Sequence, residues 1–407
     1  MPVRMVAMAI RNIARHRLRS GLTLAAIAFG VAGLVLSGGF VQDVFFQLGE
    51  AVIRSQTGHL QIAQTGFFTY GSRSPDRFII QNAEERKRQI AMRPEVAQVM
   101  GRLAFSALLG NGRTDLPVRG EGIEPDKEAR LGSYMVIRSG RRLESGDQHG
   151  LLVGEGLANA LHLKVGDLVT LVTSAASGAM NTLEFTVVGV FQSYSKEFDA
   201  SVVKIALPAA QELLGTTGVN ALVIELGSTR DTERTVDALR REFGASGLEV
   251  RTWKQLNDFY EKTVTLYDRQ FGVLRLIVLF MVLLSVSNTV NMSLFERIAE
   301  FGTMRALGDR SSKIFGLVMT EALALGAIGA ALGVVAGIAA ALLFSAGGIP
   351  MPPPPNSNLG YTAQIRIVPE ELAGAATVGL FATLLAALVP ARRVSRLPIA
   401  EALRRSV

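Results

Sequence analysis

The chain has 407 residues, 49% of them hydrophobic and 41 of them glycine, while charged residues make up 19%, below the roughly 25% of soluble domains. Cysteine is absent, which excludes a disulfide framework, a thiolate metal site and a cysteine nucleophile. The net charge of +7 sits in three short pieces beside apolar runs, so it does not form the clustered basic face that nucleic acid requires.

Residues 1–20 carry five arginines and no acid. Val3, Val6, Ala7, Ile10, Ile13 and Ala14 fall on one helical face and Arg4, Arg11 and Arg15 mostly on the other, the pattern of a helix lying in a membrane interface. The first span is expected at 21–46, around the uncharged run Gly21–Val41. A cleaved signal sequence has an apolar region of about 7–15 residues, and this run of 21 favours a retained anchor.

Segment 47–270 holds 26 basic and 27 acidic side chains, a balanced solvated surface. Alternating apolar stretches at His59-Leu60-Gln61-Ile62, Leu168–Val172, Phe185–Val190 and Val202–Ala206 predict strands, and helical patterns fall at about 82–92, 208–214 and 229–243. From Trp253, the residues Leu256, Phe259, Tyr260, Thr263, Val264, Tyr267 and Phe271 keep helical spacing. No Pro or Gly intervenes before Phe271, so this helix is read as a stalk running into the second span, the alternative being a packing helix beside a flexible joint.

The second span is expected at 271–293, with Arg275 snorkelling from its outer end and Asn288 and Asn291 near its inner end. Segment 294–313 follows. In it Ile298, Phe301, Met304 and Leu307 form a narrow apolar stripe and Gly308 stands where a C-cap would. This is either a docking helix for a soluble partner or an inert connector. The third span, 314–346, contains Gly329, Gly333 and Gly337 at four-residue spacing, a seam for close helix approach. Its Glu321 is costly in lipid unless it faces protein or water or reaches the headgroups. A loop at 347–371 contains Pro352-Pro353-Pro354-Pro355, a stiff stretch that either borders a lipid-facing entrance or acts as a spacer. The fourth span is expected at 372–391, followed by a basic tail, 392–407.

Each span approaches the ~20 apolar residues that cross a bilayer. The arginines place both termini and segment 294–313 in the cytosol and segment 47–270 outside. The expected fold is therefore a membrane α-helical protein of four transmembrane helices, with a large α+β extracytoplasmic domain inserted between the first and second spans. No G-x-x-x-x-G-K-[ST], H-E-x-x-H or G-x-S-x-G sequence occurs, and the four histidines (His16, His59, His149, His162) are far apart, so neither an ATPase, a metal site nor any other enzyme of its own is expected.

The segment ERIAEFGTMRALGDRSSKIF resembles the coupling-helix region of the MacB/FtsX-like permeases of ABC transporters, E-R-x-x-E-I-G-x-x-R-A-L-G. The match falls on Glu296, Arg297, Glu300, Gly302, Arg305, Ala306, Leu307 and Gly308, with Phe301 where Ile is commoner and Asp309 where Ala often follows. AIRNIARHRLRSGLTLAAIAFGVA and PARRVSRLPIAEALR are similar to the family's opening and closing segments, and Glu321 stands where the family carries a glutamate. The resemblance implies a bacterial inner-membrane permease that pairs with a second copy or a paralogue and with two copies of a separate ATPase, which would bind the ATP and Mg while this chain binds no cofactor. ATPase closure would push on 296–308, with Ile298, Phe301 and Met304 on the contact stripe, and the motion would reach the outside domain, a mechanism described as mechanotransmission. GHLQI at Gly58–Ile62 is similar to the lipoprotein-releasing branch, whose members extract acylated proteins from the membrane and hand them to a periplasmic carrier. Tripartite efflux of drugs or peptides, and activation of a periplasmic partner without transport, are the other roles the family offers.

Overall fold

The computed structural model describes residues 17–71, 74–174, 178–353 and 360–398. The proposed interfacial helix, apart from residues 17–20, and Pro354, Pro355 and 399–407 of the tail lie outside the described residues. Two compact units emerge, one drawn from 17–46, 263–350 and 362–398, the other from 47–262 and 351–361.

The first unit is helical. Its long helices are α1 (Arg17–Val52), which contributes its last residues to the second unit, and α7 (Asp258–Glu296), which begins there; α9 (Ser311–Gly347) and α10 (Pro369–Ser395) complete the set. All four are long and apolar enough to cross a membrane. Lipid cannot hydrogen-bond a backbone, so an uninterrupted helix is the stable form even where glycines would weaken it in water. Pro369 opens α10 in the first turn, where its missing N–H costs nothing. Ile27, Val31 and Val35 of α1, Val282, Val286 and Val290 of α7, Val318 and Ala322 of α9, and Ala382 and Ala386 of α10 share one apolar cluster. A short helix, α8 (Ile298–Ala306), follows α7 across a single break at Arg297, whose φ of −101° and ψ of 9° leave the helical region.

The second unit is an α/β domain. Its strands are β1 (Leu60–Gln64), β2 (Val96–Gly110), β3 (Asp115–Ile123), β4 (Val136–Gly140), β5 (Gly150–Gly154), β6 (Leu168–Ser174), β7 (Met180–Gln192), β8 (Val202–Ala206), β9 (Ala221–Leu226) and β10 (Leu248–Thr252). The sheet order is β10-β1-β9-β2-β3-β8-β5-β7-β4, and β6 pairs with both β2 and β7. The pairings β2–β3–β8–β5–β7–β6–β2 thus close a ring, a small barrel from which β9, β1 and β10 extend as an open wing. Among the described residues of this sheet, the parallel pairs are β3–β8 and β5–β7. Phe105, Leu109, Val118, Leu171, Phe185, Val187 and Ile205 lie in one core cluster that continues under the wing to Leu222, Val236 and Leu239. The flanking helices are α2 (Ala83–Ala91), α3 (Pro125–Leu131), α4 (Glu155–Leu161), α5 (Leu207–Leu214) and α6 (Thr232–Phe243).

Two expectations change. The stalk helix starts at Asp258, not at Trp253. Trp253 N–H instead donates to the His59 carbonyl at 3.1 Å, continuing the β1–β10 ladder, and the Asn257 side chain accepts from Tyr260 N–H at 2.9 Å, an N-cap that fixes the start. From there α7 runs unbroken to Glu296. Arg275 does not simply snorkel, because its Nη2 meets Glu371 Oε2 at 2.8 Å.

Candidate functional site

Helix α8 is fastened to the helical unit from the inside. Ile298, Phe301 and Gly302 are buried and Met304 packs against the apolar cluster. The cleft lined by Ile298, Phe301, Gly302, Arg305, Val394 and Leu397 encloses only about 10 Å³. This corrects the docking stripe read from the sequence: helical spacing shows that one face is apolar, and here that face meets the chain's own helices. The exposed residues of 296–308 are Glu296, Glu300, Thr303, Ala306, Leu307 and Gly308. Leu307 is 84% exposed, and Gly308 takes φ +98°, ending the helix as a glycine C-cap does.

Polar contacts lock the same helix at both ends. Arg297 Nη1 donates to Glu321 Oε2 on α9 at 2.8 Å, its Nε donates to Glu300 Oε2 at 3.0 Å, and its guanidinium lies over the Phe301 ring. Glu321 therefore has a protein partner and is not a headgroup contact, and the costly intramembrane carboxylate becomes half of an ion pair. Arg305 Nη1 donates to the Leu397 carbonyl, just beyond α10, at 2.6 Å. These bonds tie the α8 segment to α9 and to the residue two beyond the end of α10.

The glycine seam finds its partner within the chain. A Cβ at Gly329 would come within 2.9 Å of Ile27, one at Gly333 within 2.7 Å of the Ala28 carbonyl oxygen, and one at Gly337 within 2.9 Å of Val35. The small residues of α9 thus let α1 lie backbone to backbone against it. Asn288 is exposed and Asn291 half-buried on α7; the partner the structure gives Glu321 is Arg297.

Sequence reasoning missed a second polar cluster in the helical unit. Asp43 of α1 is fully buried, accepting from Arg366 Nε at 2.9 Å and from Gln364 N–H at 2.8 Å. Glu371 of α10 accepts from Gln42 at 3.1 Å and pairs with Arg275 of α7. The signal available in the sequence was Asp43 itself, an acid two residues beyond the apolar run that ends at Val41.

In the α/β unit the GHLQI segment also acquires a role. Thr229 Oγ1 donates to Glu50 Oε1 at 2.6 Å, so it accepts from His59 Nε2–H at 3.1 Å, and His59 Nδ1 accepts from Leu226 N–H at 3.2 Å. The tautomer is fixed by these partners, and no lone pair on His59 is left to draw a proton from Thr229. Burial pushes the His59 imidazole down to about 4, against a smaller upward pull from Glu50. Among the described residues no cluster of His, Asp or Glu has the arrangement of a metal site.

Comparison with known proteins completes the site. The profile of the MacB-like periplasmic core domain matches residues 20–242 and that of the FtsX-like permease C-terminal region matches 272–399. The lipoprotein-releasing system transmembrane protein LolC of Neisseria meningitidis is 25% identical over 334 residues, covering 78% of this chain and 75% of that protein. The macrolide export ATP-binding/permease protein MacB of Escherichia coli is 23% identical over 83% of this chain, which spans about half (52%) of MacB's length. The solved periplasmic region of MacB from Actinobacillus actinomycetemcomitans matches 52% of this chain and 95% of that region, at 13% identity and a TM-score of 0.37.

Proposed function

This chain belongs to the FtsX-like permeases that carry a MacB-like periplasmic core domain, and from that membership we propose that it couples ATP hydrolysis by a separate ATPase to movement of its α/β domain, releasing lipoproteins or other hydrophobic envelope substrates from the inner membrane. It is a multi-pass ABC transporter permease of the MacB/FtsX/LolC type with an extracytoplasmic domain. The observation that carries the coupling reading is the anchorage of α8. Its inner face is bonded to α9 and to the end of α10, while Glu300, Ala306, Leu307 and Gly308 are open to solvent. A push on that open edge reaches the spans without loss in a flexible joint.

The arginine-rich termini and the α8 segment lie in the cytosol in this reading, by the charge rule. Two permeases, this chain with a copy or a paralogue, meet two ATPases, which hold the ATP and Mg. The lipoprotein branch is supported by the GHLQI segment at Gly58–Ile62, while LolC and MacB match similar shares of this chain, 78% and 83%. The test is reconstitution of the permease and its ATPase in liposomes loaded with an acylated protein. ATP-dependent transfer of that protein to a soluble carrier is expected. Export of a macrolide or peptide without such transfer would replace the branch by efflux. ATP turnover that moves neither, but switches on a periplasmic partner, would make the chain a signal transmitter.

A further inference from the structure

The turn that follows α1 is a π-helix, Ile53–Thr57, closed by Gly58 N–H donating to the Ile53 carbonyl at 3.0 Å. Such turns are uncommon and cluster at functional positions. Gly58, at φ +65°, then turns the chain into β1. The carbonyl of Gln56 in this turn accepts from Nη1 of Arg102 on β2.

Arg102 belongs to a group of four charges, three of them buried and the fourth, Glu121, half-buried. Its Nη2 lies 3.0 Å from each Glu128 oxygen on α3. Lys204 Nζ on β8, a residue with 0% exposure, is 2.7 Å from Glu128 and 3.1 Å from Glu121 of β3. Two cations face two carboxylates, so the group is neutral. Burial opposes ionisation of Glu128, yet Arg102 and Lys204 together outweigh it and hold the carboxyl at about 2. One donor is left over. Arg102 Nε is buried without a hydrogen bond and stands 4.0 Å from Glu121 Oε2, the oxygen that Lys204 Nζ approaches at 3.1 Å. Polar groups at this depth strongly favour being paired, so a turn of Arg102 that brought Nε onto Glu121 would gain a bond the described arrangement lacks.

We propose that this group is a two-position clamp on the end of α1. In the described position Arg102 grips the Gln56 carbonyl and Glu128. In the other, Arg102 turns its Nε onto Glu121, lets go of Gln56, and the π-turn relaxes into an ordinary α-turn. One residue of register corresponds to about 100° and 1.5 Å of helix, so the clamp is an element with two discrete states at the point where motion of α1 must be taken up by the sheet. The inference rests on the reading that the α/β domain moves during ATP turnover.

Trp253, the only tryptophan in the chain, clusters with Val52 and Ile53 and reports on this turn. The full-length permease is labelled with 5-fluorotryptophan and followed by 19F NMR, together with hydrogen exchange at the Gly58 amide. For the permease alone, Glu128→Gln should give a new 19F line and an altered exchange rate at Gly58, whose N–H passes from the Ile53 to the Arg54 carbonyl. Arg102→Lys, which keeps the charge but cannot fork, should do the same if Glu128→Gln does not accumulate as folded protein. With the partner ATPase and vanadate-trapped nucleotide, the wild type should show the new line, and Glu121→Gln, which lacks the second acceptor charge, should not. The clamp is overturned if the first two variants keep the wild-type line and exchange rate, or if trapped Glu121→Gln gives the same new line as trapped wild type. Stimulation of ATP hydrolysis, measured in the same samples, reports separately on the functional reading: its absence would remove that reading, while the permease-alone spectra would still decide the clamp.

Discussion

Where α9 meets α1 the helical unit is closed by side chains that are missing, at Gly329, Gly333 and Gly337, whereas the barrel of the α/β unit is filled by large ones, Phe105 and Phe185 among them. Lipid is as apolar as a leucine, so helices in it gain nothing by hiding apolar area and associate through close backbone approach. The barrel folds against water, where each buried phenyl ring contributes directly. Buried charge does not follow that division: the helical unit encloses Asp43 against Arg366, and the α/β unit encloses Arg102, Glu128 and Lys204.

The sharpest way to break this contrast is to empty the barrel. Phe185→Ala should cost about 3–5 kcal/mol, read from the urea midpoint of Trp253 fluorescence in the detergent-solubilised full chain; a cost below 1 kcal/mol would mean that the barrel core is not what holds the α/β unit. Acid should act on the same unit in two steps. His59 has a folded value of about 4 against 6.5 when unfolded, so the unfolded chain takes up the proton first. Its contribution is complete above pH 6.5 and is lost as pH falls toward 4, by up to about 3 kcal/mol. Glu128, held at about 2 against 4.5, has the opposite chemistry but the same trend, its contribution being lost between pH 4.5 and 2. In His59→Gln the urea midpoint should be flat across the first window.

The helical unit is probed by adding atoms. Gly333→Ala puts a Cβ within 2.7 Å of the Ala28 carbonyl oxygen, while at Gly374 of α10 the new methyl meets nothing within 4 Å. Overpacking should cost the first variant about 1–3 kcal/mol, and the second should gain up to about 1 kcal/mol from helix propensity. Equal thermal midpoints for the two would refute the seam. The smallest effect on stability is expected at Leu307→Asp, within about 0.5 kcal/mol for so exposed a site, yet ATPase affinity should fall at least tenfold. Phe301→Asp, at a position with 3% exposure, should instead fail to accumulate as folded protein.

The four spans were legible because length and apolarity are properties of contiguous sequence, and β6, β8, α2 and α5 because their patterns are local. The barrel was not, since its closure depends on β6 pairing with β2 some sixty residues earlier in the chain, and β2 itself, VAQVMGRLAFSALLG, does not alternate cleanly. The site was half legible. Residues 296–308 were located, but amphipathicity names an apolar face without naming what covers it, so Ile298 and Phe301 were read as a partner surface when α10 and the residues after it supply the cover. In the same way Glu321 stood out as costly while its partner, Arg297, lies on another element and is found only in three dimensions. The glycine seam was visible as a repeat, and only the structure shows that α1 occupies it.

Work done on the open edge of α8 is expected to move the α/β domain. With no native cysteine to interfere, a spin label can be placed through Met180→Cys, a site 71% exposed on β7, and distances between the two permeases of the ATPase complex measured by pulsed electron resonance. The distance distribution should shift between the nucleotide-free and vanadate-trapped states, and adding Leu307→Asp should abolish the shift. An unchanged distribution in a complex that binds its ATPase and turns over ATP normally would contradict the account.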